Sequence, residues 1–213
     1  IASASPAPAG AAEDPSSDAP AVATSEPDDV VIDDDEPEGD PGRVSVIKAE
    51  GLIDPVLASF IQRSVEQGER AGVIAVVIQL DSAGSVVSAE RLNELARTVR
   101  EASVPVAVWV GPSGSHALGG AAQLAGAARR VGIAPGAWLG KTGTLEVDDA
   151  LLSPEFLAAA GRLEGGTVNE EQARDLGIMA DERAAVIGEF IIGIDGVETK
   201  VVDVPEQPSG LGW

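Results

Sequence analysis

The stretch at residues 110–128, VGPSGSHALGGAAQLAGAA, decides how the rest of the chain is interpreted. A cluster of Gly, Pro and Ser runs directly into an Ala-rich segment that favours a helix. The cluster contains His116, the single histidine of the sequence, together with Ser113 and Ser115. A sharp turn that leads into a helix is typical of a catalytic nucleophile turn. The sequence therefore raises the question of whether this turn carries a reactive side chain.

Alternating strand and helix patterns surround this stretch. Strands are predicted at residues 43–51, 73–81 and 104–111, and a short strand and turn at 130–140. Helices are predicted at 53–72 and 88–103, the first with Asp54 and Pro55 as a start signal. Because strand–helix repeats of this length form parallel sheets with right-handed crossovers, we expect an α/β parallel-sheet domain.

Apolar residues at helical spacing predict the buried face of each helix. The second predicted helix should bury Leu92, Leu95, Ala96 and Val99. Trp109 falls within a predicted central strand and is expected in the core, whereas Trp138 is expected beside the turn. The first predicted helix should bury Val56, Leu57, Phe60, Ile61 and Val65.

Composition excludes several classes of function. The 213-residue chain has a net charge of −21, so it has no basic surface with which to neutralise the phosphates of a nucleic acid. It has no cysteine and one histidine, which excludes disulfides and thiolate metal sites and leaves a zinc site short of ligands. We therefore expect no metal, no cofactor and no nucleic-acid partner.

The first 42 residues differ from the rest of the chain. They hold 12 of the 35 acidic residues and no Lys or Arg. Few large apolar side chains are present, so we predict a disordered acidic linker at 1–42. The acidic run at 28–40 is interpreted as a solvated spacer, with a cation-binding or partner-binding tail as the alternative. The first residues look like sequence that follows a cleaved signal peptide, and no apolar run reaches the ~18 residues of a membrane span.

Three segments together carry a family resemblance: VIAVVIQLDSAGSVV at 73–87, VPVAVWVGPSGSHALGG at 104–120, and APG at 134–136. They resemble the protease-like domain of NfeD-type membrane proteins, relatives of the Clp protease and signal peptide peptidase A within the crotonase-like fold. The resemblance covers residues 44–204. It implies a crotonase-like (ClpP-type) domain at 43–204 and a linker at 205–213 that leads towards membrane segments beyond this chain. It also implies an extracytoplasmic, membrane-associated location.

In that family a D-T-P-G-G turn supplies backbone amides to an oxyanion hole. The matching residues run from Asp81 to Ser85, so the resemblance implies an oxyanion or substrate-binding role for Gly84 and Ser85, with Gly120 at the opposite turn. Ser85 stands where the family has Gly. If residue 85 requires a positive φ, its Cβ carries strain.

The family's nucleophile pattern is Pro-x-Gly-Ala-x-Ala-x-Ser-Ala-Gly. When Pro112 and Gly114 are placed on it, Gly119 falls where the nucleophilic Ser belongs. The family also uses a Lys as its base, but the corresponding region at 150–166 holds Arg162 and no Lys. Arginine remains protonated and makes a poor base. We therefore expect no catalytic residue, with Gly119 as a vestigial nucleophile position.

The resemblance and these departures predict a catalytically degenerate homologue of a membrane-bound serine endopeptidase. Such a homologue would act as a peptide-binding or assembly module in membrane-protein quality control. Its expected partners are a peptide or membrane-protein segment, the membrane and further copies of itself.

An active endopeptidase of the Ser–Lys type, with a relocated nucleophile, is the alternative. Its candidate residues are Ser115, His116 and Lys141. A coenzyme-A-thioester enzyme of the wider fold is a third interpretation, but no acid/base carboxylate in the sequence supports it.

Overall fold

The computed structural model describes residues 42–179 and 185–194. The linkers predicted at 1–42 and 205–213, apart from residue 42, lie outside the described residues, as does the predicted domain beyond 194. The strands are β1 (Val44–Glu50), β2 (Ala75–Asp81), β3 (Val106–Val110), β4 (His116–Leu118), β5 (Arg130–Ile133), β6 (Trp138–Gly140) and β7 (Thr167–Val168).

Two sheets organise the described residues. The first has the order β1-β2-β3-β5, and all its neighbouring strands are parallel. The second has the order β4-β6-β7, with β4 parallel and β7 antiparallel to β6. An isolated bridge between Ser82 and Ala117 connects the end of β2 to β4. The predicted α/β parallel-sheet domain is confirmed.

Seven α-helices and one short 3-10 helix (Asp149–Leu151) lie in the described part of the chain. Asp54 and Ser88 begin the first two, because their side chains accept hydrogen bonds from the amides of Leu57 (2.7 Å) and Arg91 (3.3 Å). Pro55 occupies the first helical position, as predicted. The helices are α1 (Pro55–Arg70), α2 (Ala89–Glu101), α3 (Gly120–Ala127), α4 (Pro154–Ala158), α5 (Ala160–Leu163), α6 (Glu170–Asp175) and α7 (Ile187–Ile192).

The predicted buried face is right for α2 and partly wrong for α1. All four apolar residues predicted for α2 are buried. Helix α1 instead buries Ala58, Ile61, Val65 and Gly68, and leaves Val56 and Phe60 exposed. The cause is close approach to the sheet, since a Cβ on Gly68 would come within 2.5 Å of Cγ2 of Val76. Small residues therefore determine which face of α1 packs inward.

The sequence prediction missed β4 and β6 as separate strands. Residues 110–120 were expected to form a turn leading into a helix, and 130–140 one short strand and turn. Both missed strands have three residues, which is too short for a detectable period of two. They exist because they pair with each other, His116 with Trp138 and Leu118 with Gly140. His116 therefore lies in a strand and not in a loop.

The two tryptophans within the described residues have different environments. Trp109 is buried in β3, as predicted, and its ring would lie 2.5 Å from a Cβ on Gly111. Trp138 is 45% exposed on β6. Within 42–179 and 185–194, no helix is long and apolar enough to span a bilayer.

Candidate functional site

The site is built around the turn that joins β4 to α3. Gly119 occupies this turn with φ 56° and ψ −130°, a conformation that glycine adopts far more readily than other residues. Its amide donates to the carbonyl oxygens of Gly140 and Lys141, both at 3.2 Å, and its carbonyl accepts from the amide of Gln123 at 3.2 Å. The chain thus forms the sharp strand–turn–helix connection that displays a nucleophile in hydrolases.

There is room for a side chain at Gly119. A Cβ built on this residue has one neighbour within 4 Å, Cα of Gly84 at 3.7 Å. That separation is an ordinary van der Waals contact, so a small side chain fits. The position lacks a reactive group because its residue is Gly, and not because neighbouring atoms fill the space.

The turn at Gly84 packs against the turn at Gly119. Gly84 has φ 148°, and its carbonyl accepts hydrogen bonds from the Ser82 hydroxyl at 2.9 Å and the Ile53 amide at 3.0 Å. A Cβ on Gly84 would lie 3.9 Å from the carbonyl oxygen of Leu118 and 4.0 Å from Cδ2 of Leu52. In parallel α/β folds, ligands bind outside the carboxyl ends of the strands. We call this place, bordered here by Leu52, Gly84, Leu118 and Gly119, the crevice.

Ser85 and Gly120 pack directly against each other beside the crevice. A Cβ on Gly120 would lie 2.5 Å from Oγ and 2.9 Å from Cβ of Ser85. The side chain of Ser85 thus occupies the volume that a larger residue at 120 would need. Ser85 does not have a positive φ, since Lys141 is the one non-glycine residue with that property in the described part of the chain. The strain considered for Ser85 from the sequence does not arise.

Backbone amides are the groups in the crevice that can donate hydrogen bonds to a ligand. Gly120 is the first residue of α3, and the first amides of a helix have no acceptor within that helix. At the neighbouring turn the amide of Gly84 donates to the Ser82 hydroxyl at 3.4 Å, so the free amides are those at the start of α3. Amides arranged in this way can bind a carbonyl oxygen or an anion.

Ser115 and His116 do not form a reactive pair. Ser115 is buried, whereas the imidazole of His116 is 38% exposed and its Nδ1 lies 3.2 Å from Oδ1 of Asp81. The His116 amide also donates to that oxygen, at 3.0 Å. Neighbouring residues at a strand project to opposite faces, which explains the separation. Gly119 follows His116 by three residues, and an extended chain rises ~3.3 Å per residue, so their Cα atoms are about 10 Å apart.

Lys141 lies beside the turn through its backbone. Its φ is 46°, its carbonyl accepts from Gly119, and its amide donates to the carbonyl of Gly166 at 2.7 Å. Its side chain is exposed and forms no ion pair within residues 42–179 and 185–194. A non-glycine residue in the left-handed region stores backbone strain, which clusters at functional turns.

Gln123 is a positioning residue that the sequence analysis did not identify. It is buried in α3, and its Nε2 donates to the carbonyls of Thr142 (3.0 Å) and Thr144 (3.2 Å). Its Oε1 accepts from the amides of Glu146 (2.8 Å) and Val147 (3.0 Å). The available signal was one amide side chain in an otherwise apolar Ala-rich helix. Gln123 fixes the segment that follows Lys141.

Known structures resemble this arrangement. The 1510-N membrane-bound stomatin-specific protease, in a lysine-to-alanine variant with a substrate peptide, superposes with a TM-score of 0.61 and 20% identity over 72% of this chain and 80% of that one. The 1510-N membrane protease specific for a stomatin homologue from Pyrococcus horikoshii superposes with a TM-score of 0.58 and 19% identity, over 70% of this chain and 77% of that one. A putative enoyl-CoA hydratase/isomerase from Acinetobacter baumannii superposes with a TM-score of 0.53 and 17% identity, over 67% of this chain and 72% of that one. The fold is crotonase-like.

Within the crotonase-like fold, proteases and hydratases both appear among these neighbours. No protein-family model and no curated protein sequence matches the chain. At identities of 20% or less, the structural likeness shows the fold alone. The crotonase-like fold and the protease-like neighbours agree with the resemblance seen in the sequence. The absence of catalytic groups stays a prediction from the residues.

Proposed function

We propose that this chain is a catalytically degenerate relative of membrane-bound serine endopeptidases that binds peptide segments without cleaving them. An extended peptide lies over the crevice beside Gly84 and Gly119, and its carbonyl groups accept hydrogen bonds from the free amides at the start of α3. The biological role is a peptide-binding or assembly module in membrane-protein quality control.

The observation that carries this proposal is the conformation of Gly119. The turn has the strand–turn–helix geometry of a nucleophile turn and has space for a side chain, yet its residue is Gly. Gly has no atom that can attack a carbonyl. The backbone that would receive a substrate thus stands beside a position with no nucleophile.

A reactive probe tests the absence of catalysis. We expect no labelling of the full chain by a serine-reactive fluorophosphonate and no cleavage of casein or a membrane-protein peptide. Labelling that disappears in Ser115→Ala would overturn the proposal. Gly119→Ser restores the hydroxyl but supplies no base, so we expect that it does not restore cleavage.

A pair of substitutions at the turn tests peptide binding. Gly119→Leu places a large side chain in the crevice, while Gly119→Ala imposes the same left-handed strain without filling it. We expect the Leu variant to bind peptides at least about tenfold more weakly than the Ala variant, because ~1.4 kcal/mol of contacts is lost. Equal affinities would contradict a peptide site at Gly119.

An active endopeptidase of the Ser–Lys type is the second candidate. The observation that favours it is Lys141, whose strained backbone accepts a hydrogen bond from Gly119. This candidate predicts cleavage that is lost in Lys141→Met. Cleavage restored by Gly119→Ser and abolished by adding Lys141→Met would show that Lys141 is already positioned as a base.

The location and assembly of the chain are part of the same proposal. We place the domain outside the cytoplasm, held at a membrane by segments beyond this chain, and as a homo-oligomer. Support comes from the likeness of the fold to proteases described as membrane-bound. Sedimentation of the full chain and membrane fractionation of the native protein test these statements.

A further inference from the structure

A strip of four side chains crosses the surface beside the crevice. Glu50 on β1 is in register with Asp81 on β2, and His116 on β4 contacts Asp81. Trp138 on β6 is in register with His116. Residues in register on parallel strands project from the same face of a sheet. The strip therefore presents two carboxylates, an imidazole and an exposed indole to one side.

The strip has one carboxylate oxygen without a partner among residues 42–179 and 185–194. Oδ1 of Asp81 accepts from the His116 amide and lies beside its Nδ1, but no hydrogen bond uses Oδ2 of Asp81. The ring of Trp138 is open to solvent. Each of these groups favours a cationic hydrogen-bond donor.

An arginine side chain has the chemistry that fits this strip. Its planar guanidinium can stack on an indole ring while its N–H groups donate to a carboxylate oxygen. The groups of the strip that carry or gain charge are Glu50, Asp81 and His116, with Lys48 beside Glu50. Lys48 lies 2.8 Å from Glu50 in an exposed ion pair, whereas no Lys or Arg of the described residues pairs with Asp81.

We propose that the strip formed by Asp81, His116 and Trp138 binds an arginine of the peptide held in the crevice. This inference rests on the proposed peptide-binding function and adds a specificity to it. His116 lies about 10 Å from Gly119, which equals about three residues of extended chain. The arginine is therefore placed about three residues from the peptide residue that lies at Gly119.

Peptides that differ by one residue test this specificity. A single arginine is moved along an otherwise neutral peptide, and each version is compared with the same peptide carrying citrulline, its uncharged analogue. At one position we expect arginine to bind about fivefold more tightly than citrulline. The ratio of the two affinities should fall to about one in Asp81→Asn and in Trp138→Leu. Asp81→Asn removes the charge but keeps an oxygen that accepts from the His116 amide. Trp138→Leu removes the aromatic ring but keeps an apolar side chain.

Two further measurements locate the peptide. The indole N–H resonance that disappears in Trp138→Leu should shift on addition of the arginine peptide and not of the citrulline peptide. The chain has no cysteine, so Gly119→Cys can form a disulfide with a cysteine walked along the peptide. The best cross-linking position should lie about three residues from the best arginine position.

The outcomes separate the two proposals. A ratio of one at every position, or an unmoved Trp138 resonance, overturns the arginine strip even if Gly119→Leu weakens peptide binding. If the ratio persists while Gly119→Leu binds as well as Gly119→Ala, the strip stands and the crevice proposal is wrong. Absence of binding by any peptide overturns both.

Discussion

Single residues at the turn determine what the crevice can do. Gly119 keeps the shape of a nucleophile turn through backbone hydrogen bonds alone. Ser85 and Gly120 share one volume, so the identity of each constrains the other.

The contact between Ser85 and Gly120 gives a testable exchange. Gly120→Ala alone should destabilise the chain by about 1–3 kcal/mol, because the new methyl group overlaps the Ser85 side chain. Adding Ser85→Gly should recover most of that loss. Urea denaturation of the two single variants and the double variant measures the coupling. Additive effects would mean that the two residues do not share this space.

Lys141 provides a second residue-scale prediction. Its φ of 46° is costly for any residue with a Cβ. Lys141→Gly should therefore be more stable than Lys141→Ala by about 1 kcal/mol, as measured by urea denaturation. The Ala variant controls for loss of the lysine side chain. Equal stability of the two variants would mean that the backbone at 141 is unstrained.

At the scale of elements, α3 and the segment that follows β6 are held together by one side chain. Gln123 makes four hydrogen bonds to residues 142–147 from a buried position. Because that segment begins next to Lys141, Gln123 also fixes one wall of the turn at Gly119. The helix thus supports the site through a residue that does not face it.

Replacement of Gln123 should release this segment. Gln123→Leu leaves two carbonyls and two amides without partners, so we expect a loss of at least about 3 kcal/mol in the free energy of unfolding. Gln123→Glu keeps the acceptor for the amides of Glu146 and Val147. Hydrogen exchange at those two amides should accelerate in the Leu variant and stay slow in the Glu variant. Protection in both variants would contradict the role of Gln123.

The sequence predicted the elements with strong periodicity or clear start signals. Asp54, Pro55 and the apolar face of α2 identified their helices correctly. β4 and β6 were missed because three-residue strands are defined by their partners and not by their own pattern. Gln123 and the contact between Asp81 and His116 were missed for a related reason. Both depend on which distant residues the fold brings together.

At the scale of the whole molecule, the crotonase-like fold brings a distant helix onto the central sheet. Phe190 of α7 is buried, and its ring would lie 2.6 Å from a Cβ on Gly132 of β5. This contact joins residues that are far apart along the chain. Gly132 is required at that point because any side chain would occupy the space of the phenylalanine ring.

Removal of Phe190 should therefore destabilise the whole domain. Phe190→Ala should lower the free energy of unfolding by about 3–5 kcal/mol, since it opens a cavity in the core. Ile192→Ala, on the exposed side of the same helix, is the control, with an expected loss under about 1 kcal/mol. Thermal and urea denaturation measure both. Similar losses for the two variants would mean that α7 does not pack through Phe190.

The position of β1 has a consequence for how the molecule avoids aggregation. β1 is at an edge of the central sheet within the described residues, so one side of its backbone is available to another strand. Such an edge is a template for runaway strand addition between molecules. Lys48 and Glu50 place opposite charges on this strand, and an incoming apolar strand would have to bury them. The charged side chains of Lys48 and Glu50 therefore protect this edge strand against pairing with other molecules.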